Sequence, residues 1–187
     1  MEDKLNFELL DKYAKKTQMN DGAGGVYFHY DWTFAPKDRD RDFSDYLSGN
    51  TIRGFFVWQT PPKPAFFQIY SEYYPNGNIK RRSKDMMGGG GIGEEKHYDE
   101  NGTLTHVINN DEKFGKFGYN EVLLFLHQQG HINLETGENR SGLHFVYHAD
   151  TKQWYAGTMS STFWQTDYII DGETGEVISK EEYEIIE

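Results

Sequence analysis

The sequence predicts an α+β fold: predominantly antiparallel β-sheet built from hairpin repeats, with an N-terminal helix and one mid-chain helix packed on the sheet. Three observations carry this. The stretch from Tyr73 to Leu104 holds two related phrases, Tyr74-Pro-Asn-Gly-Asn-Ile79 and Tyr98-Asp-Glu-Asn-Gly-Thr-Leu104. Each sets an aromatic before an Asn-Gly pair and an aliphatic after it. Asn-Gly is a strong hairpin signal because both residues reach φ > 0, and the flanking side chains can pair across the turn. The 187 residues include 13 Tyr, 13 Phe and 20 Gly, which favours strands joined by tight turns. Helical periodicity is confined to two segments.

Taken in order, residues 4–18 read as an amphipathic helix. Leu5, Leu9 and Tyr13 recur at four-residue spacing, with Leu10 and Ala14 beside them. Lys12, Lys15 and Lys16 fall where cations suit the end of a helix, and the glycines after Asn20 break it. Val26–Phe34 reads as a strand. Residues 36–48, dense in mixed charge, read as an exposed loop or short helix. Strands are expected over 52–59, 66–74, 79–84, 94–98 and 103–109, with Pro61, Pro62 and Pro64 in a link that cannot donate to a ladder. Asn120 is placed to cap a helix over 121–129, with Val122, Leu123, Phe125 and Leu126 on one face and Gly130 as its left-handed stop. Three β-prone runs follow, 143–148, 153–159 and 163–170, and Asp171-Gly-Glu-Thr-Gly-Glu-Val177 turns the last into a final strand. The chain suits one domain over 1–187, or two lobes at 1–115 and 116–187.

The two Asn-Gly phrases, centred on Asn76-Gly77 and Asn101-Gly102, resemble the bacterial MORN-variant repeat, a strand–turn–strand unit recurring every twenty-odd residues. The resemblance covers roughly residues 68–108, and the glycine run Met86-Met-Gly-Gly-Gly-Gly-Ile-Gly93 departs from it. Two units are fewer than the roughly three such arrays need for stability, so other elements must cap them. The tail, with its Asp-Gly-Glu-Thr-Gly-Glu-Val corner, is similar to the PepSY-like α+β unit. Many bacterial members of the repeat family are antitoxins or immunity proteins that block a toxin by binding it. The resemblance therefore implies a protein partner and no catalysis.

Composition narrows the classes. The formal charge is −11, which disfavours nucleic acid and favours a basic partner. There are no cysteines, so neither disulfides nor thiolate metal sites can form. The N-terminus lacks a basic start with an apolar run, and no apolar stretch approaches the ~18 residues of a membrane helix. Cytoplasmic location without membrane association is the expectation.

Signals for chemistry have competing readings. The glycine run satisfies G-x-G-x-x-G by letter, but Glu94-Glu-Lys-His-Tyr98 follows it where a phosphate cradle needs a helix N-terminus, so a flexible loop is expected. His127 and His131, with His144 and His148, could in principle hold zinc. Gly130 interrupts the first pair and no His-Glu-x-x-His is present, so no metal is expected. Ser160-Ser-Thr162 reads as a polar turn. Lys80-Arg-Arg-Ser-Lys84 is the one basic run, either a solvated hairpin face or an internal partner for the acidic tail.

That tail, 171–187, sets seven acids against Lys180 alone. It is either a solubilising terminus or a docking surface for a basic partner. On the docking reading Glu173, Glu176, Glu181, Glu182 and Glu184 supply charge, and Trp154, Trp164 and Tyr183 supply aromatic anchors. The expected function is an immunity protein or antitoxin that neutralises a cognate basic toxin by stoichiometric binding, without cofactor or metal. The alternatives are a binding scaffold of the same repeat type, an enzyme, or a glycan binder using exposed aromatics.

Overall fold

The computed structural model describes residues 4–22, 25–34, 45–159 and 164–184. Among these, helix α1 (Phe7–Tyr13) is followed by strands β1 (Lys15–Asn20), β2 (Val26–Phe34), β3 (Asp45–Asn50), β4 (Gly54–Gln59), β5 (Phe67–Tyr73), β6 (Ile79–Met86), β7 (Gly91–Tyr98) and β8 (Leu104–Asn109). Helix α2 (Tyr119–Gln128) and strands β9 (Leu143–His148), β10 (Gln153–Met159), β11 (Trp164–Asp171) and β12 (Val177–Glu184) complete the order. Strands β1 to β8 form one sheet in sequence order, and β9 to β12 form a second, also in sequence order. This is the expected α+β class, dominated by antiparallel hairpins.

The chain divides into two compact units. One comprises 1–62, 68–84 and 94–108; the other comprises 63–67, 85–93 and 109–187. A single cut near residue 115 misses this, because short stretches around Pro64 and the glycine run belong with the second unit.

The first unit has a core of Leu10, Tyr30, Leu47, Phe55, Tyr73 and Ile79. Helix α1 is only seven residues long, and Lys15 and Lys16, expected to be helical, lie in β1. Strand pairing outweighs helix periodicity here. β1 pairs with β2 from Lys15↔Asp31 to Asn20↔Val26, and Lys16 bonds Asp11 at 2.7 Å while lying over the Phe28 ring. Residues 45–48, expected in a loop, lie in β3 with Leu47 buried. The rest of the charged stretch, 36–44, lies outside the described residues, as do Ser160, Ser161 and Thr162.

The repeat geometry refines the reading of the turns. Gly77 (φ 84°) and Gly102 (φ 86°) are left-handed, whereas Asn76 and Asn101 are not among the positive-φ residues. Gly77 N–H donates to Tyr74 O, and Tyr74 N–H to Asn78 O; Gly102 donates to Asp99 O, and Asp99 to Thr103 O. Both are four-residue turns closed by a left-handed glycine bulge, not two-residue primed turns. Counting back from each glycine aligns Tyr98 with Tyr73, not with Tyr74. That alignment makes packing sense, since Tyr73 is in the core and Tyr98 packs against it. The glycine run makes a third turn with the same bonding, Gly89 N–H to Met86 O and Met86 N–H to Gly90 O. β7 begins at Gly91, so a strand follows where a phosphate cradle would need a helix.

The two Asn-Gly turns are tied to each other. The Asn76 and Asn78 amides both donate to Glu100 O, at 3.0 and 2.7 Å, and Tyr74 Oη donates to Tyr98 O at 2.9 Å. The N-terminal segment caps the first turn, with Leu5 N–H bonded to Gly77 O at 2.8 Å. Strands β1 to β4 extend the sheet beyond these turns, and α1 contributes Leu10 to its core. The equivalence ends at the last strand. Ile79 is buried, but Leu104 on β8 is about half exposed. The basic run is absorbed locally: Lys80 bonds Glu72 at 2.6 Å and Arg81 lies 3.7 Å from Glu95. The ion pairs of Lys80 and Arg81 are thus with neighbouring strands of the same sheet.

In the second unit α2 lays Tyr119, Val122, Leu123 and Leu126 against Phe145, Trp154, Ala156, Tyr168 and Ile170. Gly118, not Asn120, precedes the helix, and its N–H is satisfied by Glu121 Oε2 at 3.0 Å. Gly130 (φ 78°) is the expected stop. The corner after β11 is built by one carboxylate. Asp171 Oδ1 accepts from Glu173 N–H and Thr174 N–H, and these bonds hold Asp171 below the usual carboxylate range.

Candidate functional site

Alternation assigns the two faces of the second sheet. Phe145, Trp154, Ala156, Tyr168 and Ile170 point to the α2 side and are buried. The opposite parity places His144, Val146, Tyr155, Asp167, Ile169 and Glu181 on the other face, where Val146 and Tyr155 are exposed over somewhat less than half of their surface. Registers align this face into rows. His144, Gly157, Asp167 and Glu181 lie opposite one another across β9 to β12, and Tyr155, Ile169 and Ser179 form the adjacent row.

A hollow of about 220 Å³ opens on this face, lined by His144, Tyr155, Asp167, Ile169, Ser179 and Glu181 among others. Gly157 lies in the same row and makes room for the His144 ring, which lines the hollow. A Cβ built on it would fall 1.7 Å from His144 Cε1 and 2.5 Å from Asp167 Oδ1. The missing side chain lets the imidazole lie across β10 and bring Nε2 to 3.4 Å from Asp167 Oδ1. Asp167 is held from two further sides. The Gln165 amide donates to both of its oxygens at 2.9 and 3.1 Å, and Tyr183 Oη donates at 2.6 Å. That bond to a carboxylate raises the Tyr183 phenol above its ordinary value.

The residues expected to dock a partner divide between the faces. Glu181 and Tyr183 belong to the hollow's side, with Tyr183 bonded to Asp167. Glu182 lies opposite Thr166 on the other face and pairs with Lys180 at 2.5 Å. Glu173 sits at the corner, paired with Lys152 at 2.8 Å, which lowers its pKa. Glu176 and Glu184 are exposed. Trp164 is about half exposed, at the start of β11. Trp154 is a correction: it has no exposed surface, and its Nε1–H donates to Phe117 O at 2.7 Å. Its apolar bulk is core, so it cannot anchor a partner. Residues 185–187 lie outside the described residues. Asp167, Tyr155 and Gly157 went unnoticed in the sequence. The signal that could have found them is the parity shared by Tyr155, Gly157, Asp167 and Glu181 once the register is known.

The histidines separate. His127 Nδ1 lies 3.1 Å from Ile132 O, whereas His131 sits between Tyr168 Oη at 2.7 Å and Thr158 Oγ1 at 3.3 Å. Burial, with the Lys180 ammonium nearby, lowers the His131 pKa. His144 and His148 are on the exposed face of β9. Among the described residues no group of three or more His, Asp or Glu side chains is arranged to hold a metal ion. No helix among them is long and apolar enough to cross a membrane.

The fold and this face define an antiparallel β protein with a carboxylate- and aromatic-lined hollow on an exposed sheet surface. No protein-family model, curated protein or solved structure matches the chain.

Proposed function

We propose that the chain is an immunity protein or antitoxin that neutralises a basic protein toxin by direct, stoichiometric binding, and that the exposed face of β9 to β12 is its contact surface. The observation that carries this reading is the juxtaposition on that face of Asp167 and Glu181 with the exposed side chains of Val146, Tyr155, Met159 and Tyr183. Aromatic and Met side chains supply contact area, and the carboxylates select a basic partner and speed its encounter. The net charge of −11 acts in the same direction. The resemblance of the Asn-Gly hairpins to MORN-variant repeats adds the toxin as the class of partner. The mode of action needs no cofactor, metal, nucleic acid or membrane, and its expected location is the cytoplasm.

Co-expression with a toxin encoded beside the gene tests the reading. Protection is expected from the wild-type chain and should weaken when Asp167 and Glu181 are both reversed to Lys. Cells dying equally with and without the protein would sink the proposal. Protection untouched by the double reversal would keep the function but move the contact off this face.

A further inference from the structure

We propose that the hollow lined by Tyr155, Ile169, Asp167 and Glu181 receives the guanidinium of one arginine side chain of the basic partner, with Glu181 as its ionic contact; this deepens the binding function proposed above and rests on it. Charge gives the first argument. Asp167 and Glu181 are directly opposed on neighbouring strands and line the same hollow. Like charges in that relation destabilise a strand pair, and a cation seated between them relieves the repulsion. Asp167 is held in place by the neutral donors Gln165 and Tyr183, and the His144 ring lies 3.4 Å from its Oδ1, so Glu181 is the carboxylate left for the guanidinium's ionic contact. Glu181 has no salt bridge among the described residues, whereas Glu173 and Glu182 are paired with Lys152 and Lys180.

Size and shape give the second. At about 220 Å³ the hollow is smaller than the roughly 300–1,000 Å³ of small-molecule sites, and suits one long side chain. Tyr155 and Ile169 line one row of it together with the Ser179 hydroxyl, and Asp167 and Glu181 line the adjacent row with the His144 ring. A planar group that stacks on an aromatic ring while donating several hydrogen bonds in one plane matches that arrangement better than a compact ammonium. A phosphate or carboxylate ligand would face two carboxylates and is excluded by the same charges.

The test is an NMR titration of the full chain with N-acetyl-arginine amide, run beside the citrulline and lysine amides. Citrulline keeps the shape and hydrogen-bonding edge without the charge, and lysine keeps the charge without the plane. Saturable shifts of the Tyr155 ring, Ile169 methyl and Ser179 resonances are expected with arginine. Glu181→Gln should weaken that binding about tenfold or more, the usual worth of a charge-assisted hydrogen bond, while Glu184→Gln should leave it unchanged. Equal shifts with citrulline or lysine, no shifts with arginine, or indifference to Glu181→Gln would each overturn the assignment. Absence of arginine binding alongside intact protection from the toxin would remove the hollow and leave the binding function standing. Arginine binding without protection would support the hollow and remove the toxin as its source.

Discussion

The paired turns offer a controlled comparison, because Gly77 and Gly102 share one conformation but not one environment. Each has φ near 85°, 84° and 86° respectively. An L residue there costs roughly 1–2 kcal/mol, partly offset by a gain of about 0.4–1 kcal/mol from a less flexible unfolded chain. A Cβ on Gly102 meets nothing within 4 Å, so Gly102→Ala should cost about 1 kcal/mol. A Cβ on Gly77 would stand 2.7 Å from Phe7 Cε2. Phe7 packs edge-on against Phe55, with centroids 5.6 Å apart. Displacing it adds about 0.5–1.5 kcal/mol of aromatic contact, bringing Gly77→Ala to about 1.5–2.5 kcal/mol. Hydrogen exchange of the β5 to β8 amides reads the opening free energy of this unit directly. Equal losses for the two variants would refute the packing argument, and no loss in either would refute the left-handed turns.

Three further outcomes are expected. Trp154→Ala should destabilise by about 3–5 kcal/mol, as core Trp truncations do, while Trp164→Ala should change stability by about 1 kcal/mol or less; urea unfolding distinguishes them. His131 titrates below the ordinary imidazole value in the folded chain, chiefly through burial and then through Lys180, with Glu182 opposing. The unfolded chain therefore binds the proton more readily, so this contribution to stability is present above about pH 6.5 and lost as pH falls below it. Thermal melts between about pH 7.5 and 5.5 should show a shallower decline in His131→Gln than in the wild type; parallel declines would contradict the assignment. Gly157→Ala should push the His144 ring off Asp167. A His144 side-chain NMR spectrum unchanged by that substitution would count against the geometry of the face.

Legibility in the sequence followed the range of the interaction. The Asn-Gly turns, the stop at Gly130 and the Asp171 corner were readable because each is closed by residues within five positions of one another. The N-terminal helix was overestimated because β1 is decided by its pairing with β2, whose partners lie from six (Asn20↔Val26) to sixteen (Lys15↔Asp31) residues away. Tyr98 was matched to Tyr74 by letter, whereas the glycine bulge sets the register and matches it to Tyr73. The tail's acidity was visible, but which acids are already neutralised was not: Lys152 and Lys180 meet Glu173 and Glu182 only in the folded chain. The hollow was illegible for the same reason. Gly157 is ordinary in the sequence, and matters only because the register sets it between His144 and Asp167.

The central claim is direct one-to-one neutralisation through the exposed face of the second sheet. Its most direct measurement is a titration of purified toxin activity with the purified chain, at toxin concentrations well above the dissociation constant. The account predicts a linear fall in activity that reaches completion at one equivalent, with Asp167→Lys/Glu181→Lys shifting the curve far to the right. Complete inactivation at a small fraction of an equivalent would mean turnover rather than occupancy, and activity undiminished at several equivalents would mean no binding; either result contradicts the account.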